Sequence, residues 1–176
     1  MSALARLYTV RQLPAGKVSI MPRPRGGDWL ADEMKALYYE GVDVMVSLLT
    51  PEEVGELDLR SEAEVCQHLG IAYFSYPIPD HHVPPFSDDT LALLEQLRDL
   101  LAQGKHVVAH CRMGLGRSAL IAACVLVLSG LTPERACQEL SAVRGYNVPE
   151  TEEQRAWVRA FPRRYRERQR ARDNAL

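Results

Sequence analysis

The sequence predicts an α/β domain, a central and mostly parallel sheet flanked by helices. Three observations carry that prediction. Short apolar runs of strand length alternate with helical stretches; the helical stretches open on capping residues or Pro and close on Gly; and the links between them are short, with no internal repeat or low-complexity linker. A chain of 176 residues is large enough to bury one full hydrophobic core, so a single domain is expected.

Residues 17–21, KVSIM, read as a short strand, followed by the turn-rich loop PRPRGGD. Asp28 is placed to cap a helix running to Glu40, with Gly41 as its stop. Residues 42–48, VDVMVSL, make an apolar, β-branched run as a buried strand requires. Thr50-Pro51-Glu52-Glu53 has capping-box spacing with Pro at the first helical position, so a helix begins there, and Glu52 and Glu53 read as its first-turn charges. Ser61 and Glu64 repeat that spacing, and Gly70 closes the second helix.

Residues 71–76 read as a strand leading into the loop PIPDHHVPPFSDD, where Pro79, Pro84 and Pro85 exclude helix or central strand. Asp88 and Asp89 suit the cap and first turn of the next helix, read over residues 91–102 and ended by Gly104. Residues 106–110, HVVAH, form a buried strand, and residues 118–129 a strongly apolar helix. Thr132-Pro133 opens another helix, and residues 151–160 form the last. Trp29 and Trp157 read as core residues, with the lining of a substrate site as the alternative, and Arg23 and Arg25 flank prolines in a loop where an anion or water would meet them.

Composition excludes several classes. A hydrophobic fraction of 47% and a charged fraction of 25% are those of a globular domain rather than a disordered chain. MSALARLYTV lacks the basic region and long apolar stretch of a signal peptide, and the longest apolar run, residues 119–128, is about half a membrane span. A cytoplasmic protein without integral membrane association is expected. Cys66, Cys111, Cys124 and Cys137 form no C-x-x-C pair, which argues against a zinc site or disulfide scaffold and fits a reducing compartment. All but Cys111 read as small buried hydrophobes.

The net charge of −2 conceals an Arg-rich tail: residues 163–176 hold six Arg against Glu167 and Asp173. The chain is therefore divided into a body, residues 1–162, and a basic tail, residues 163–176, read as a solvated extension of the last helix or, alternatively, as a segment that docks to an acidic partner or membrane. Such a tail is not the basic folded face of a nucleic-acid-binding domain, so no nucleic-acid partner is expected. A monomer is expected.

The segment HVVAHCRMGLGRSALIAACVLVL, residues 106–128, runs from an apolar strand through a loop with two glycines directly into an apolar helix. Gly114 and Gly116 let the backbone bend and approach an anion closely. The loop N–H groups of Arg112, Met113, Gly114, Leu115 and Gly116 then converge into a nest, and the helix beginning near Arg117 adds its positive dipole end. Cys111 stands at the mouth of that field, which favours the thiolate, the nucleophilic form. Arg117 returns to the same loop with a planar fork that grips two phosphate oxygens. Ser118 is placed to donate a hydrogen bond to the sulfur. His110 is expected to be buried and to hold the loop by bonding its backbone. The nucleotide-binding pattern G-x-x-x-x-G-K is absent.

HCRMGLGRS resembles the signature of the protein tyrosine phosphatase superfamily, H-C-x-x-G-x-x-R followed by Ser or Thr. Chain size and element spacing resemble its dual-specificity and kinase-associated branch. The resemblance spans residues 17–160 and is strongest over 106–119. It implies a hydrolase that takes phosphate from a phosphorylated protein or peptide through a cysteinyl-phosphate on Cys111, with no cofactor and no metal. In that family an upstream Asp on a mobile loop protonates the leaving oxygen, and Asp80 in PIPDHHVPP occupies the matching place. A flexible Pro-rich loop can bring a carboxyl over the site. His81, His82, Asp88 and Asp89 compete for that role. PETEEQRAW, residues 149–157, resembles the family's stretch bearing a water-positioning Gln, at Gln154; Thr151-x-x-Gln154 is equally a capping box. The rival readings are a phosphoinositide or other non-protein phosphatase of the same mechanism, a rhodanese-type sulfurtransferase and a non-catalytic phosphate-binding module.

Overall fold

The structure, a computed structural model, describes residues 6–176. Residues 1–5, the start of the segment read above as lacking a leader pattern, lie outside the described residues. The elements in chain order are β1 (Tyr8–Val10), β2 (Lys17–Pro22), a 3-10 turn (Gly27–Trp29), α1 (Leu30–Tyr39), β3 (Val44–Ser47), α2 (Pro51–Glu56), α3 (Glu62–Leu69), β4 (Ala72–Ser75), α4 (Asp88–Ala102), β5 (His106–Cys111), α5 (Arg117–Leu128), α6 (Pro133–Arg144) and α7 (Glu152–Asn174). The sheet order is β1-β2-β5-β3-β4, with β1 antiparallel at one edge and every other pairing parallel. The mostly parallel sheet expected from the sequence is present.

β5 lies at the sheet centre, between β2 and β3. Side chains alternate across a strand, so its two faces feed two cores. Val107, Ala109 and Cys111 join Val18, Ile20, Val44 and Val46 in the core shared with α4, α5 and α7, whereas Val108 joins Met21 and Met45 beneath α1 and α3. α5 is buried almost all round, which explains an apolar sequence with little helical asymmetry.

Threonines 50, 132 and 151 each accept a hydrogen bond from the third residue of their helix, and Ser87, rather than Asp88, does so for α4. Two further expected caps are corrected. Asp28 lies inside the 3-10 turn, and α1 starts after Trp29 with no side-chain cap. Ser61 precedes α3 with ψ near 2°, a turned-in backbone unlike the extended one of a capping residue, and it makes no cap bond. The edge strand β1 was not read from the sequence, because three residues are too few to display alternation.

The last helix continues past residue 160, through Pro162 to Asn174, so the tail extends it as expected. Its continuation lies along α4: Arg168 donates to Asp88 at 2.6 Å, and Tyr165 and Arg172 both donate to Glu95 at 3.1 Å. Trp157 is buried and stacks on Phe161, as a core residue should. Trp29 is corrected: it is 54% exposed, with the Arg25 guanidinium 4.5 Å from its ring centre and Arg25 paired to buried Glu33. Cys66 and Cys124 are buried, Cys137 is half-buried, and none is bonded to another cysteine. Burial, reinforced by Glu62, pushes the Cys66 thiol up to about 12. No helix among the described residues is long and apolar enough to cross a membrane.

Candidate active site

The loop between β5 and α5 makes a close approach to neighbouring segments at each of its two glycines. Gly114 has φ +70°, and a Cβ there would stand 2.6 Å from the backbone of Met21 and Pro22; a Cβ on Gly116 would stand 2.8 Å from the Gln154 amide. Gly116 is also the N-cap of α5 and supplies no side-chain bond, so the first-turn N–H groups of α5 remain at the loop. β2 runs alongside, and the Arg23 N–H donates to the Arg112 carbonyl at 3.2 Å. Cys111 ends β5, buried, with its Sγ 3.3 Å from the Ser118 Oγ in the first turn of α5.

Arg117 is 1% exposed and fixed at several points. Its Nη1 donates to Glu53 Oε1 at 2.6 Å and to the Ile78 carbonyl at 2.8 Å, and its Nη2 donates to Glu53 Oε2 at 3.0 Å. Glu53 completes the Thr50 capping box and also accepts from Arg112 Nε at 3.3 Å. Burial alone would raise the Glu53 carboxyl, but the Arg117 guanidinium, the Thr50 N–H and Arg112 outweigh it and hold the group at about 2. Burial works against the Arg117 charge too, and Glu53, Cys111 and Asp80 more than offset it. The sequence pointed to Glu53 only as a capping-box and first-turn residue. The capping box that fixes α2 also delivers its third residue to the end of β3, beside β5.

The loop after β4 crosses this site. Asp80 Oδ1 stands 3.1 Å from Arg117 Nη2 and accepts from the His81 N–H at 3.0 Å, while the side chain stays 45% exposed. His81 has φ +65°, an unusual backbone for a non-glycine residue. Its ring lies 3.6 Å from Asp80 Oδ2 and 3.5 Å from Glu150 Oε2, whereas the His82 Nδ1 is 2.7 Å from the Asp80 carbonyl. Gln154 joins three parts: its Oε1 accepts from the Thr151 N–H at 3.1 Å, its Nε2 donates to the His82 carbonyl at 3.2 Å, and it packs against Gly116. Asp88 and Asp89 lie in the first turn of α4 and make no contact with Arg117.

His110 is buried, as expected, but its shorter bond is to a carboxylate rather than to the loop backbone. It faces the α1–α3 side of the sheet, where its Nε2 lies 2.6 Å from Glu62 Oε1, both groups being buried. Its contact with the loop backbone is a long 3.4 Å, from Nδ1 to the Cys111 carbonyl. One residue of strand alternation explains this, since Cys111 faces the other core. Glu62 was not singled out in the sequence. Arg112 turns away onto α2, donating to Glu56 at 2.9 Å; Met113 is exposed, and Leu115 packs on the main core. A cleft of about 310 Å³ opens beside the loop, lined by Thr50, Glu53, Pro79, Asp80 and Arg112.

A family model described as "Polymorphic toxin system, DSP-PTPase phosphatase" matches residues 19–131, well over half of the chain. Cyclin-dependent kinase inhibitor 3 of Rattus norvegicus is 28% identical over 132 residues, covering 74% of this chain and 60% of the relative. The Homo sapiens protein of that name is 28% identical over 123 residues, covering 69% and 58%. The chain thus spans about 60% of the length of these curated relatives. Among solved structures, kinase associated phosphatase with its catalytic-site cysteine substituted by serine aligns with a TM-score of 0.82 at 20% identity, over 92% of this chain and 96% of that one. Tk-PTP in the active form aligns with a TM-score of 0.64 at 26% identity, over 88% and 92%.

Proposed function

The chain belongs to the DSP-PTPase phosphatase family, and from that premise we propose that it hydrolyses phosphate monoesters on proteins through a cysteinyl-phosphate on Cys111. The observation that carries this reading is a convergence. The nucleophile's loop closes on Arg117, and Arg117 stands 3.1 Å from the carboxylate of Asp80. Phosphate grip and proton donor therefore meet at one guanidinium.

In the first step the Cys111 thiolate attacks phosphorus, the S–P bond forms, and the P–O bond to the substrate breaks. The departing oxygen takes the proton of the Asp80 carboxyl. The backbone N–H groups of Arg112 to Gly116, together with Arg117, carry the charge on the phosphoryl oxygens. In the second step water attacks phosphorus, its proton passes to the Asp80 carboxylate, and sulfur leaves as thiolate. Ser118, 3.3 Å from the sulfur, donates to it and eases that departure. Gln154 sits against Gly116 and holds the attacking water. His110 serves from the opposite face, anchoring the strand end to Glu62. A phosphate bound to Arg117 displaces Asp80 from Nη2, and the carboxyl, parted from the guanidinium and set beside the phosphate's negative charge, takes up from solvent the proton it passes to the leaving group.

Phosphotyrosine is the preferred substrate and phosphothreonine or phosphoserine a slower one, because a phenoxide leaves more easily than an alkoxide. A polyanionic lipid headgroup is disfavoured, since the loop's basic side chain, Arg112, is already neutralised by Glu53 and Glu56. The free cysteines fit a reducing, cytoplasmic location. The test is kcat/KM on matched phosphotyrosine and phosphothreonine peptides, with a phosphoinositide alongside and chelator present. Rates should fall in that order. A phosphoinositide rate above both peptides overturns the substrate assignment.

A further inference from the structure

Arg144 ends α6, next to Gly145, whose left-handed backbone closes the helix. Its guanidinium reaches the Cys111 loop from behind. Nε donates to the Gly114 carbonyl and Nη2 to the Met113 carbonyl, each at 3.1 Å. The same group lies 4.2 Å from the ring centre of Tyr8 on β1 and 5.2 Å from that of Tyr146. A planar fork bonded along its edge and covered by aromatic rings is held firmly. An arginine at a helix C-terminus is favourable for its charge alone. That charge does not explain why the fork engages two successive carbonyls of another segment.

The geometry has a direct consequence for the loop's donors. A peptide unit is planar and trans, so a carbonyl and the N–H that follows it point in opposite directions. Turning the Met113 and Gly114 carbonyls toward Arg144 turns the N–H groups of Gly114 and Leu115 away from it. Gly114 sits at φ +70°, where glycine tolerates other conformations about equally well, so its own backbone does not fix these two units. A flipped unit would present a carbonyl oxygen where the phosphate needs a donor.

Building on the phosphatase reading above, we propose that Arg144 is a positioning residue that orients the Met113–Gly114 and Gly114–Leu115 peptide units so that their N–H groups face the phosphoryl oxygens. It acts through the backbone and touches no reacting atom.

The test compares wild type with Arg144→Met, which keeps the stem and loses the fork, and Arg144→Lys, which keeps the charge and loses the two-point grip. The probe is orthovanadate, read by calorimetry and by the amide signals of Gly114 and Leu115 in the ¹⁵N-labelled protein. In wild type those two signals move on binding. In Arg144→Met the movement shrinks, vanadate binds about 10–100-fold more weakly and kcat falls by about 10², the scale of losing one anion-hole donor. Arg144→Lys recovers only part of this. Unchanged vanadate affinity and amide shifts in Arg144→Met, with only a lower Tm, would overturn the proposal, as would full recovery in Arg144→Lys. Should Arg144→Met fail to fold, the same readouts in Arg144→Lys decide, and wild-type values there overturn it. Vanadate binding needs no turnover. A wild-type protein that binds vanadate but hydrolyses no phosphate ester would sink the phosphatase reading and leave this comparison standing.

Discussion

Glu53 and Arg117 are joined at two points, Oε1 to Nη1 at 2.6 Å and Oε2 to Nη2 at 3.0 Å, with the arginine buried. The pair fixes the plane of the guanidinium before any phosphate reaches it, and a fork already oriented loses little freedom on binding. Removing the carboxylate leaves a buried cation with the Ile78 and Leu48 carbonyls and a half-exposed Asp80.

Glu53→Gln should therefore cost about 1–3 kcal/mol of stability and lower kcat/KM by up to about 10²-fold through misplacement of Arg117. The pH dependence has a defined sign. The Glu53 carboxyl is held at about 2 against an ordinary 4.5, so its stabilisation is present above pH 4.5 and is lost as pH falls toward 2. Urea unfolding of both proteins at pH 7 and pH 3 checks this. Equal stability at pH 7 would show that the pair contributes nothing net.

Asp80→Asn should lower kcat by about 10²–10⁴ on a phosphotyrosine peptide, the usual range for loss of a general acid. The defect should shrink on an aryl phosphate whose phenol is strongly acidic, because that leaving group needs no proton. Steady-state kinetics on the two substrates decide it. Equal defects would assign Asp80 a structural role.

What the sequence disclosed and what it hid divide by distance along the chain. Thr50, Thr132 and Thr151 cap helices by bonds to residues three positions on, so each cap was legible from a four-residue window. The strand–glycine loop–helix around Cys111 is local in the same sense. Glu53 and Arg117 are 64 residues apart, and Glu62 and His110 are 48 apart. Those pairings exist because β5 inserts between β2 and β3, an order that no local pattern encodes. Ser61 shows the converse. Its spacing to Glu64 was that of a capping box, but the tight turn before α3 removes the extended backbone a cap needs.

His106 predicts a pH-dependent loss of stability outside the active site. Burial, aided by the Lys17 charge, pulls its imidazole down to about 4 from 6.5. Between those values the unfolded chain binds a proton that the folded chain refuses, so stability falls as pH drops from 6.5 toward 4, by on the order of 3 kcal/mol in all. His106→Gln keeps a polar partner for Ser19, now 2.6 Å from the ring, and should flatten that part of the curve. Parallel Tm–pH curves for the two proteins would contradict the assignment.

The end of α7 should matter more to stability than to chemistry. Arg168 and Arg172 meet Asp88 at the start of α4, Tyr165 and Arg172 meet Glu95 at its middle, and Arg164 covers Phe86, just before it, at 4.2 Å. Exposed pairs of this kind are screened by solvent and each contributes little, but together they should make truncation after Phe161 lower Tm while kcat/KM on a small aryl phosphate stays within about threefold. A larger loss of activity at a temperature well below the new Tm would place the tail in the catalytic machinery.

The central claim is that Cys111 carries the phosphoryl group between substrate and water. It is tested most directly by quenching the reaction with acid during turnover of a ³²P-labelled phosphotyrosine peptide and mapping the label by mass spectrometry. The account predicts label on the peptide containing Cys111, retained in Asp80→Asn and absent from Cys111→Ser, which should also be inactive because a serine hydroxyl stays protonated where a cysteine ionises. Turnover by Cys111→Ser at the wild-type rate, or label on another residue, would contradict it.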